Sequence, residues 1–236
     1  MLIVQEENSN MCVIVVKKAG VELPSKEILK QCWESNPDGA GYAVRVMSNG
    51  NIYFKKGFDD FKQFYDEIKV HVLKQEDAIL HFRIATRGVV SRQLCHPFVI
   101  DRDNVNPLNG WAEGVMFHNG TFPTVPVEGE KESDSLVVAR TLSQLGFRSY
   151  QTRAVEGLID SALGTHSRLA VLTNNSGINL FGAGWEEEEG IYYSNTRWAW
   201  AYSYDDFRAG KYCPSCYHFT TDSMVHQCPV CGERMV

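Results

Sequence analysis

The sequence has no long hydrophobic run, no excess of positive charge, and no internal repeat or low-complexity segment. No stretch approaches the roughly 18 apolar residues that a membrane-spanning helix needs. Residues 1–10 carry two glutamates where a secretory signal peptide would carry lysines and then an apolar run. The formal net charge of −6 provides no overall attraction to nucleic acid or to an anionic membrane. We therefore expect a cytoplasmic protein whose partners are small molecules and proteins rather than membranes or nucleic acid.

The residues that are present favour a folded globular protein. Of the 236 residues, 44% are hydrophobic and 22% are charged, a composition that excludes intrinsic disorder and supplies one full-sized core with a small appendage. The order of helical and strand patterns, without regular βαβ alternation, favours an α+β layered domain with antiparallel sheets. Strands are predicted at 11–16, 40–46, 51–56, 78–84, 115–118, 168–172, 178–181 and 191–193. Helices are predicted from Ser25 to the turn residues 36–39, and over 59–73, 135–145 and 151–163.

Three connecting segments receive their own interpretation. Asn49-Gly50 is a strong signal for the turn of a hairpin between the second and third predicted strands. The chain that follows the strand at 78–84 is predicted to be a long polar loop up to Asn109, and the run 186–189 a solvated loop. From about Tyr204 the composition becomes small, polar and rich in cysteine, which places a domain boundary near 205–210.

The seven cysteines do not resemble a disulfide framework, because their number is odd and most of them crowd one end. Four of them form two Cys-x-x-C units on either side of residues 217–227: Cys213, Cys216, Cys228 and Cys231. Four thiolate sulfurs at about 2.3 Å complete a closed tetrahedral zinc site. We therefore predict a structural zinc ribbon over 206–236. A rubredoxin-type iron site is the main alternative, a redox dithiol is less favoured, and His218 or His226 could replace one thiolate.

Four other segments place reactive side chains at the ends of apolar strands, where a rigid scaffold can display functional groups. They are 11–12, 81–88, 117–120 and 133–135. Each has an ordinary structural interpretation when it is taken alone. A lone cysteine can be a small core residue, Arg83 a salt-bridge partner, 118–120 a turn, and 133–134 a helix cap.

In combination, these segments resemble the glutaminase domain of class II glutamine amidotransferases, which are N-terminal-nucleophile hydrolases. The similarity runs from Cys12 to about Asn195, and it also covers 36–42, 95–98, 174–175 and 194–196. The resemblance implies a four-layer αββα sandwich over 12–205, and the zinc ribbon predicted from the cysteine spacing follows it. Residues 1–11 are then a leader or an upstream extension.

The resemblance also implies a reaction. Cys12 would be the N-terminal residue of the mature enzyme, with its thiol as nucleophile and its own α-amine as general base, since the reference pKa of an α-amine lies near that of a thiol. Its attack on the side-chain amide of glutamine would give a tetrahedral oxyanion, stabilised by the Asn119 side-chain amide and the Gly120 backbone N–H. A γ-glutamyl thioester would follow, and its hydrolysis would release glutamate after ammonia has left.

Four further residues lie in matching motifs, and the resemblance gives two of them binding roles. Arg83 would hold the α-carboxylate of glutamine through two parallel hydrogen bonds, and Asp134 would bind the α-ammonium. These two opposite charges would select a free amino acid over a glutamine inside a peptide. Thr86 and His96 also lie in matching motifs. Each could either line the substrate pocket or have a purely structural role.

Two departures from the family pattern shape the remaining expectations. Cys12 lies behind eleven residues, and because Met11 directly precedes it, we favour translation from Met11 with removal of that methionine over cleavage of a propeptide. Too little chain follows Asn195 for a synthase domain, so the ammonia acceptor is expected to be a separate protein unless the reaction ends at hydrolysis. A stand-alone amidohydrolase of another γ-glutamyl compound and a non-catalytic binding or regulatory protein with the same fold remain alternatives.

Overall fold

The computed structural model describes residues 11–85, 90–103, 105–122, 125, 133–146, 152–165 and 167–196, together with 211–212, 219–220, 227 and 234. The strands are β1 (Val13–Lys17), β2 (Ala40–Arg45), β3 (Ile52–Phe58), β4 (Asp77–Phe82), β5 (Phe98–Val99), β6 (Asn109–Ala112), β7 (Gly114–Asn119), β8 (Arg168–Thr173), β9 (Gly177–Phe181), β10 (Glu186–Glu188), β11 (Ile191–Tyr193), β12 (Lys211–Tyr212) and β13 (Phe219–Thr220). The helices are α1 (Lys26–Ser35), α2 (Phe61–His71), α3 (Asp134–Leu142) and α4 (Arg153–Leu163), with a 3-10 turn at Arg92–Leu94. The predicted α+β class is confirmed.

The larger sheet has the strand order β10-β11-β1-β4-β2-β3-β6, and every neighbouring pair in it is antiparallel. Helices α1 and α2 cover one face of this sheet. A side-chain oxygen caps the start of each of these helices. The Ile28 N–H donates to Ser25 Oγ at 3.2 Å, and the Gln63 N–H donates to Asp60 Oδ1 at 2.8 Å. The predicted start of the first helix at Ser25 is therefore confirmed. Phe64 lies in the apolar cluster that joins both helices to the sheet.

The smaller sheet has the order β5-β7-β8-β9 and is also antiparallel. Helices α3 and α4 contribute buried side chains such as Leu136 and Ile159 to an apolar cluster with Met116 and Val171 of this sheet. A third apolar cluster joins the two sheets to each other and contains side chains from both. One set of buried side chains therefore holds α1 and α2 to the larger sheet, a second holds α3 and α4 to the smaller sheet, and a third holds the two sheets together.

Strand β1 illustrates why the apolar runs in this sequence are continuous. Successive side chains of a strand point to opposite faces, so Val13 and Val15 lie in the cluster with α1 and α2. Ile14 and Val16 lie in the cluster between the sheets. Both faces of β1 are buried, which explains a run of β-branched residues without polar alternation.

The sequence-based expectation for two loops is wrong in part. The segment between 85 and Asn109 contains the 3-10 turn and β5, and β6 begins at Asn109 itself. The run 186–189 is exposed as expected, but Glu186–Glu188 is an edge strand paired with β11. Strands this short carry no periodic signal of their own, and they form because a neighbouring strand offers free backbone groups.

The other predicted elements are found within a few residues of their expected positions. The hairpin is confirmed, but its loop is longer than two residues and closes through a hydrogen bond from the Val46 N–H to the Asn51 carbonyl at 2.8 Å. The proposed leader over 1–11, apart from Met11, and the boundary at 205–210 lie outside the described residues. Of the helices that the structure describes, none combines the length and apolarity needed to cross a membrane.

Candidate active site

Cys12 lies two residues along the chain from Ile14, at the end of the larger sheet where β1 and β4 pair. Its side chain is half-buried. The thiol lies beside the backbone of Ile84, donating to the carbonyl at 3.4 Å and accepting from the N–H at 3.4 Å. Because Val13 pairs with Phe82, the thiol lies where the two strands continue beyond their last paired residues.

The electrostatic environment keeps this thiol protonated at rest. Burial raises the pKa of the Cys12 thiol, while the hydrogen bond to Ile84 and the nearby Arg83 guanidinium act in the opposite direction. A thiol must lose its proton before it becomes a strong nucleophile. The site therefore requires a base close to the sulfur.

Arg83 follows β4 directly and is held by the turn that precedes β2. Its N–H donates to the Gly39 carbonyl at 2.8 Å, and its carbonyl accepts from the Asp38 N–H at 3.0 Å. The Asp38 carboxylate also accepts from the Ala85 N–H at 2.7 Å. Since the ring of Phe82 packs on that of Phe64 in α2, strand alternation directs Arg83 to the opposite face, toward the smaller sheet.

Asn119 is the last residue of β7 and Gly120 follows it. The Asn119 side chain is 1% exposed, and its Nδ2 donates to the hydroxyl of Ser194 at 2.8 Å. Gly120 has a φ of +127°, and a Cβ there would lie 2.3 Å from the Ser167 hydroxyl oxygen. The positive φ and the lack of space both require glycine at this position. The alternative interpretation of 118–120 as a turn is wrong for His118 and Asn119, which belong to the strand.

Asp134 is the first residue of α3, and Ser133 is the N-cap of that helix, its hydroxyl accepting from the Leu136 N–H at 3.2 Å. The capping interpretation of this pair is therefore confirmed for Ser133. The two Asp134 oxygens accept backbone N–H groups from Phe122 and from Ser135, both at 2.7 Å. These bonds fix the carboxylate beside the loop that follows Asn119.

His96 lies in the interior, in contact with a second histidine. Its ring centroid is 4.3 Å from that of His81 and 4.7 Å from that of Phe98. Burial lowers the pKa of His81 to about 3 and holds that of His96 well below its usual range. Both rings are therefore neutral at pH 7. Within the described part of the chain, neither ring nitrogen of His96 has a hydrogen-bond partner.

Lys56 is a buried lysine that was not among the predicted site residues. It is 2% exposed, its Nζ lies 4.3 Å from the centroid of the Phe98 ring, and it donates to Asn106 Oδ1. Burial lowers the pKa of Lys56 to about 7, opposed by the nearby Cys95 thiol. Lys56 pairs with Gly41 across the sheet, and Gly41 pairs with His81.

Ser194 and Asn195 connect the parts of the site. They belong to a segment that resembles the family, but the residue types alone suggested no role for them. The Ser194 hydroxyl accepts from both the Asn119 amide and the Ile14 N–H, and Asn195 Nδ2 donates to the Cys12 carbonyl at 2.9 Å. Cys12, Arg83 and Asn119 therefore lie at the same end of the two facing sheets.

The remaining predicted residues lie outside the described residues: Thr86, Cys213, Cys216, Cys228 and Cys231. Where side chains are described, no group of three or more histidine, cysteine or acidic residues could hold a metal ion. A scan of the chain against models of known protein families finds no match, and a search of curated proteins finds no significant match.

Proposed function

We propose that this chain is a cysteine-dependent glutaminase of the class II amidotransferase type, with Cys12 as nucleophile. The observation that carries the proposal is the link from Cys12 through Ile14 and Ser194 to Asn119. This link joins the strand that directly follows Cys12 to an amide donor on the other sheet. A nucleophile and a fixed oxyanion donor at one site are the minimum that amide hydrolysis through a thioester requires.

The packing supports the four-layer αββα arrangement that this family implies. One apolar cluster joins α1 and α2 to the larger sheet, another joins the larger sheet to the smaller sheet, and the last joins the smaller sheet to α3 and α4. The thiol and the amide both lie at one end of the space between the two sheets, where a substrate side chain could enter from solvent. The proposed fold and the proposed site are therefore consistent with each other.

In the proposed reaction, a base takes the Cys12 thiol proton and the sulfur attacks the amide carbon of the glutamine side chain. A carbon–sulfur bond forms, and the carbonyl electron pair moves to the oxygen, which the Asn119 amide and the Gly120 N–H receive. Collapse breaks the carbon–nitrogen bond, and the protonated base gives its proton to the departing nitrogen. Water then attacks the thioester, and glutamate leaves as the thiol is restored.

The base in this scheme is the α-amine of Cys12 itself. While Met11 precedes Cys12, this nitrogen forms a peptide bond with Met11, and an amide nitrogen is not basic. The proposal therefore requires that Cys12 become the N-terminal residue, either by initiation at Met11 and removal of that residue or by cleavage. The raised pKa of the thiol makes such a base necessary.

Two oppositely charged side chains would recognise the amino-acid end of the substrate. The Arg83 guanidinium would grip the α-carboxylate with parallel hydrogen bonds. The Asp134 carboxylate, fixed by the Phe122 and Ser135 N–H groups, would accept the α-ammonium. The rigid hold on Asp134 supports this role, because a charged acceptor that does not need to be ordered binds more tightly.

We also propose a structural zinc ribbon at 206–236. Strands β12 and β13 pair with each other, and Gln227 pairs with Arg234. In the sequence, each Cys-x-x-C unit lies between the two members of one of these pairs. Two pairs of thiolates suit a closed zinc site, and metal binding would supply most of the folding free energy of so small a unit.

The test of the glutaminase proposal begins with the intact mass and N-terminal sequence of the purified protein. A chain that begins at Cys12 is then assayed for glutamate release from glutamine. Cys12→Ala is compared with the control Cys32→Ala, which changes a buried cysteine of α1 in the apolar cluster beneath the larger sheet's helices. We expect Cys12→Ala alone to abolish hydrolysis while the fold persists. Activity of Cys12→Ala near that of the wild type would refute the mechanism. A preference for other γ-glutamyl amides would reassign the substrate.

A further inference from the structure

We propose that Ser194 is a positioning residue, which holds the Asn119 amide in the direction that an oxyanion requires. The inference rests on the proposed function, because the direction matters only if Asn119 stabilises an oxyanion. Ser194 itself touches no reacting atom in this proposal. It acts through Asn119, from the opposite sheet.

Ser194 is fixed to β1 by two hydrogen bonds. Its N–H donates to the Ile14 carbonyl at 3.0 Å, and its side-chain oxygen accepts from the Ile14 N–H at 2.9 Å. In a regular antiparallel ladder the second bond would go to a backbone carbonyl. Here the hydroxyl takes that position just after β11 ends, so the serine oxygen is held rigidly against β1.

The same oxygen receives the Asn119 amide. Nδ2 of Asn119 lies 2.8 Å from the Ser194 hydroxyl oxygen, and two donors then occupy the two lone pairs of that oxygen. Asn119 Oδ1 is buried and has no hydrogen bond from the described residues. In this part of the chain, Ser194 is therefore what fixes the rotation of the amide, and the second N–H of Nδ2 is left for a ligand.

The neighbouring residue holds the nucleophile. Asn195 Nδ2 donates to the Cys12 carbonyl at 2.9 Å, so Ser194 and Asn195 together contact β1, the residue before it and the donor on β7. One short segment after β11 thus helps to hold the nucleophile and the amide donor in place. A preorganised donor needs no reorientation when negative charge develops, and this is the source of its catalytic effect.

Replacing Ser194 with alanine would leave the Asn119 amide free to rotate. Loss of an oxyanion donor lowers kcat by about 100- to 1,000-fold. A donor that is present but misdirected should lower kcat by about 10- to 100-fold. The KM for glutamine should change far less, because Arg83 and Asp134 bind the other end of the substrate.

The decisive experiment is a double-mutant cycle of S194A and N119A in a chain that begins at Cys12. We expect S194A to lower kcat in the wild-type background and to have little effect in the N119A background, because both changes remove the same interaction. An equal loss of kcat in both backgrounds would overturn the inference. The matched control is T173V, at the end of β8 that lies away from Asn119. This substitution removes a fully buried hydroxyl that accepts the Ser176 N–H at 3.1 Å. The kcat of this variant should match that of the wild type.

Amide hydrogen exchange tests the geometry without any activity. In S194A the Ile14 N–H should exchange much faster, while amides in the middle of β1 keep their protection; an unchanged rate at Ile14 would overturn the inference. If S194A does not fold, S194C keeps the volume with a weaker acceptor, and its kcat should lie below that of the wild type. A wild-type chain beginning at Cys12 that hydrolyses no glutamine would refute the proposed function and the positioning role together, whereas additive losses in an active enzyme refute only the latter.

Discussion

Lys56 should be destabilising while it carries its charge, and replacing it with methionine should make the protein more stable. The ammonium is buried between the sheets, and its pKa falls from 10.5 to about 7 because burial disfavours the charged form. The ring of Phe98 and the Asn106 oxygen offset only part of that cost. Methionine keeps a flexible chain of similar length that can pack on the same ring.

The magnitude follows from the difference between the two pKa values. Each tenfold change in proton affinity corresponds to about 1.4 kcal/mol, so a charged Lys56 at pH 6 costs roughly 4 to 5 kcal/mol. Allowing for lost contacts, we expect Lys56→Met to raise the free energy of unfolding at pH 6 by about 2 to 4 kcal/mol.

The same difference predicts a pH dependence with a definite sign. Between about pH 7 and 10.5 the unfolded chain binds the Lys56 proton while the folded chain does not, so stability rises with pH across this window. From pH 6 to pH 9 the contribution of this group amounts to about 2 to 3 kcal/mol. The variant should lack this rise.

Urea denaturation of the wild type and Lys56→Met at pH 6 and pH 9 measures both effects. Lys55→Met is the matched control, because Lys55 is a partly exposed neighbour in a 3.0 Å ion pair with Glu67, and its loss should cost less than about 1 kcal/mol at either pH. The reasoning would be refuted if Lys56→Met were no more stable than the wild type at pH 6 and the difference between the two proteins were the same at both pH values.

Three further predictions have definite expected outcomes. Gly41→Ala places a Cβ 2.1 Å from the His96 carbonyl oxygen and should lower the free energy of unfolding by at least about 2 kcal/mol. Gly157→Ala, in open space on α4, should raise the free energy of unfolding by up to about 1 kcal/mol. Equal effects of the two substitutions in urea denaturation would contradict this prediction. Asp134→Asn should raise the KM for glutamine by about tenfold or more, and an unchanged KM would remove its binding role. Metal analysis should find one zinc per chain, lost with a chelator or on Cys228→Ser, and iron would contradict the zinc assignment.

The elements that the sequence predicted well are those with a strong local pattern. The helix from Ser25, the amphipathic α2 and the hairpin around residues 46–51 depend on spacing and turn chemistry within about a dozen residues. The short strands β5 and β10 were not predicted, because they exist only through pairing with β7 and β11. Strand β6 separates β5 from its partner in the chain, and β10 is too short to show a period of its own.

For the candidate site, the residue types could be recognised but their connections could not. Cys12, Arg83, Asn119 and Asp134 were identified from motifs at strand and helix ends. Nothing in those motifs showed that the hydroxyl of Ser194 would join Asn119 to β1. The burial of Lys56 was not predicted either. Strand alternation places this residue on the same face of β3 as Ile52 and Phe54, but lysine is almost never fully buried, so its residue type argued for an exposed position.

Local patterns along the chain are enough to predict the α+β class, the positions of most helices and strands, and the set of reactive side chains, because hydrophobic period, caps and turns act over short distances. Which of these side chains meet depends on the packing of distant segments. Ser194 lies 180 residues from Ile14 and 75 from Asn119, and both contacts exist only because β11 pairs with β1 and the two sheets pack face to face. Such contacts depend on strand order and register, which a local pattern does not specify.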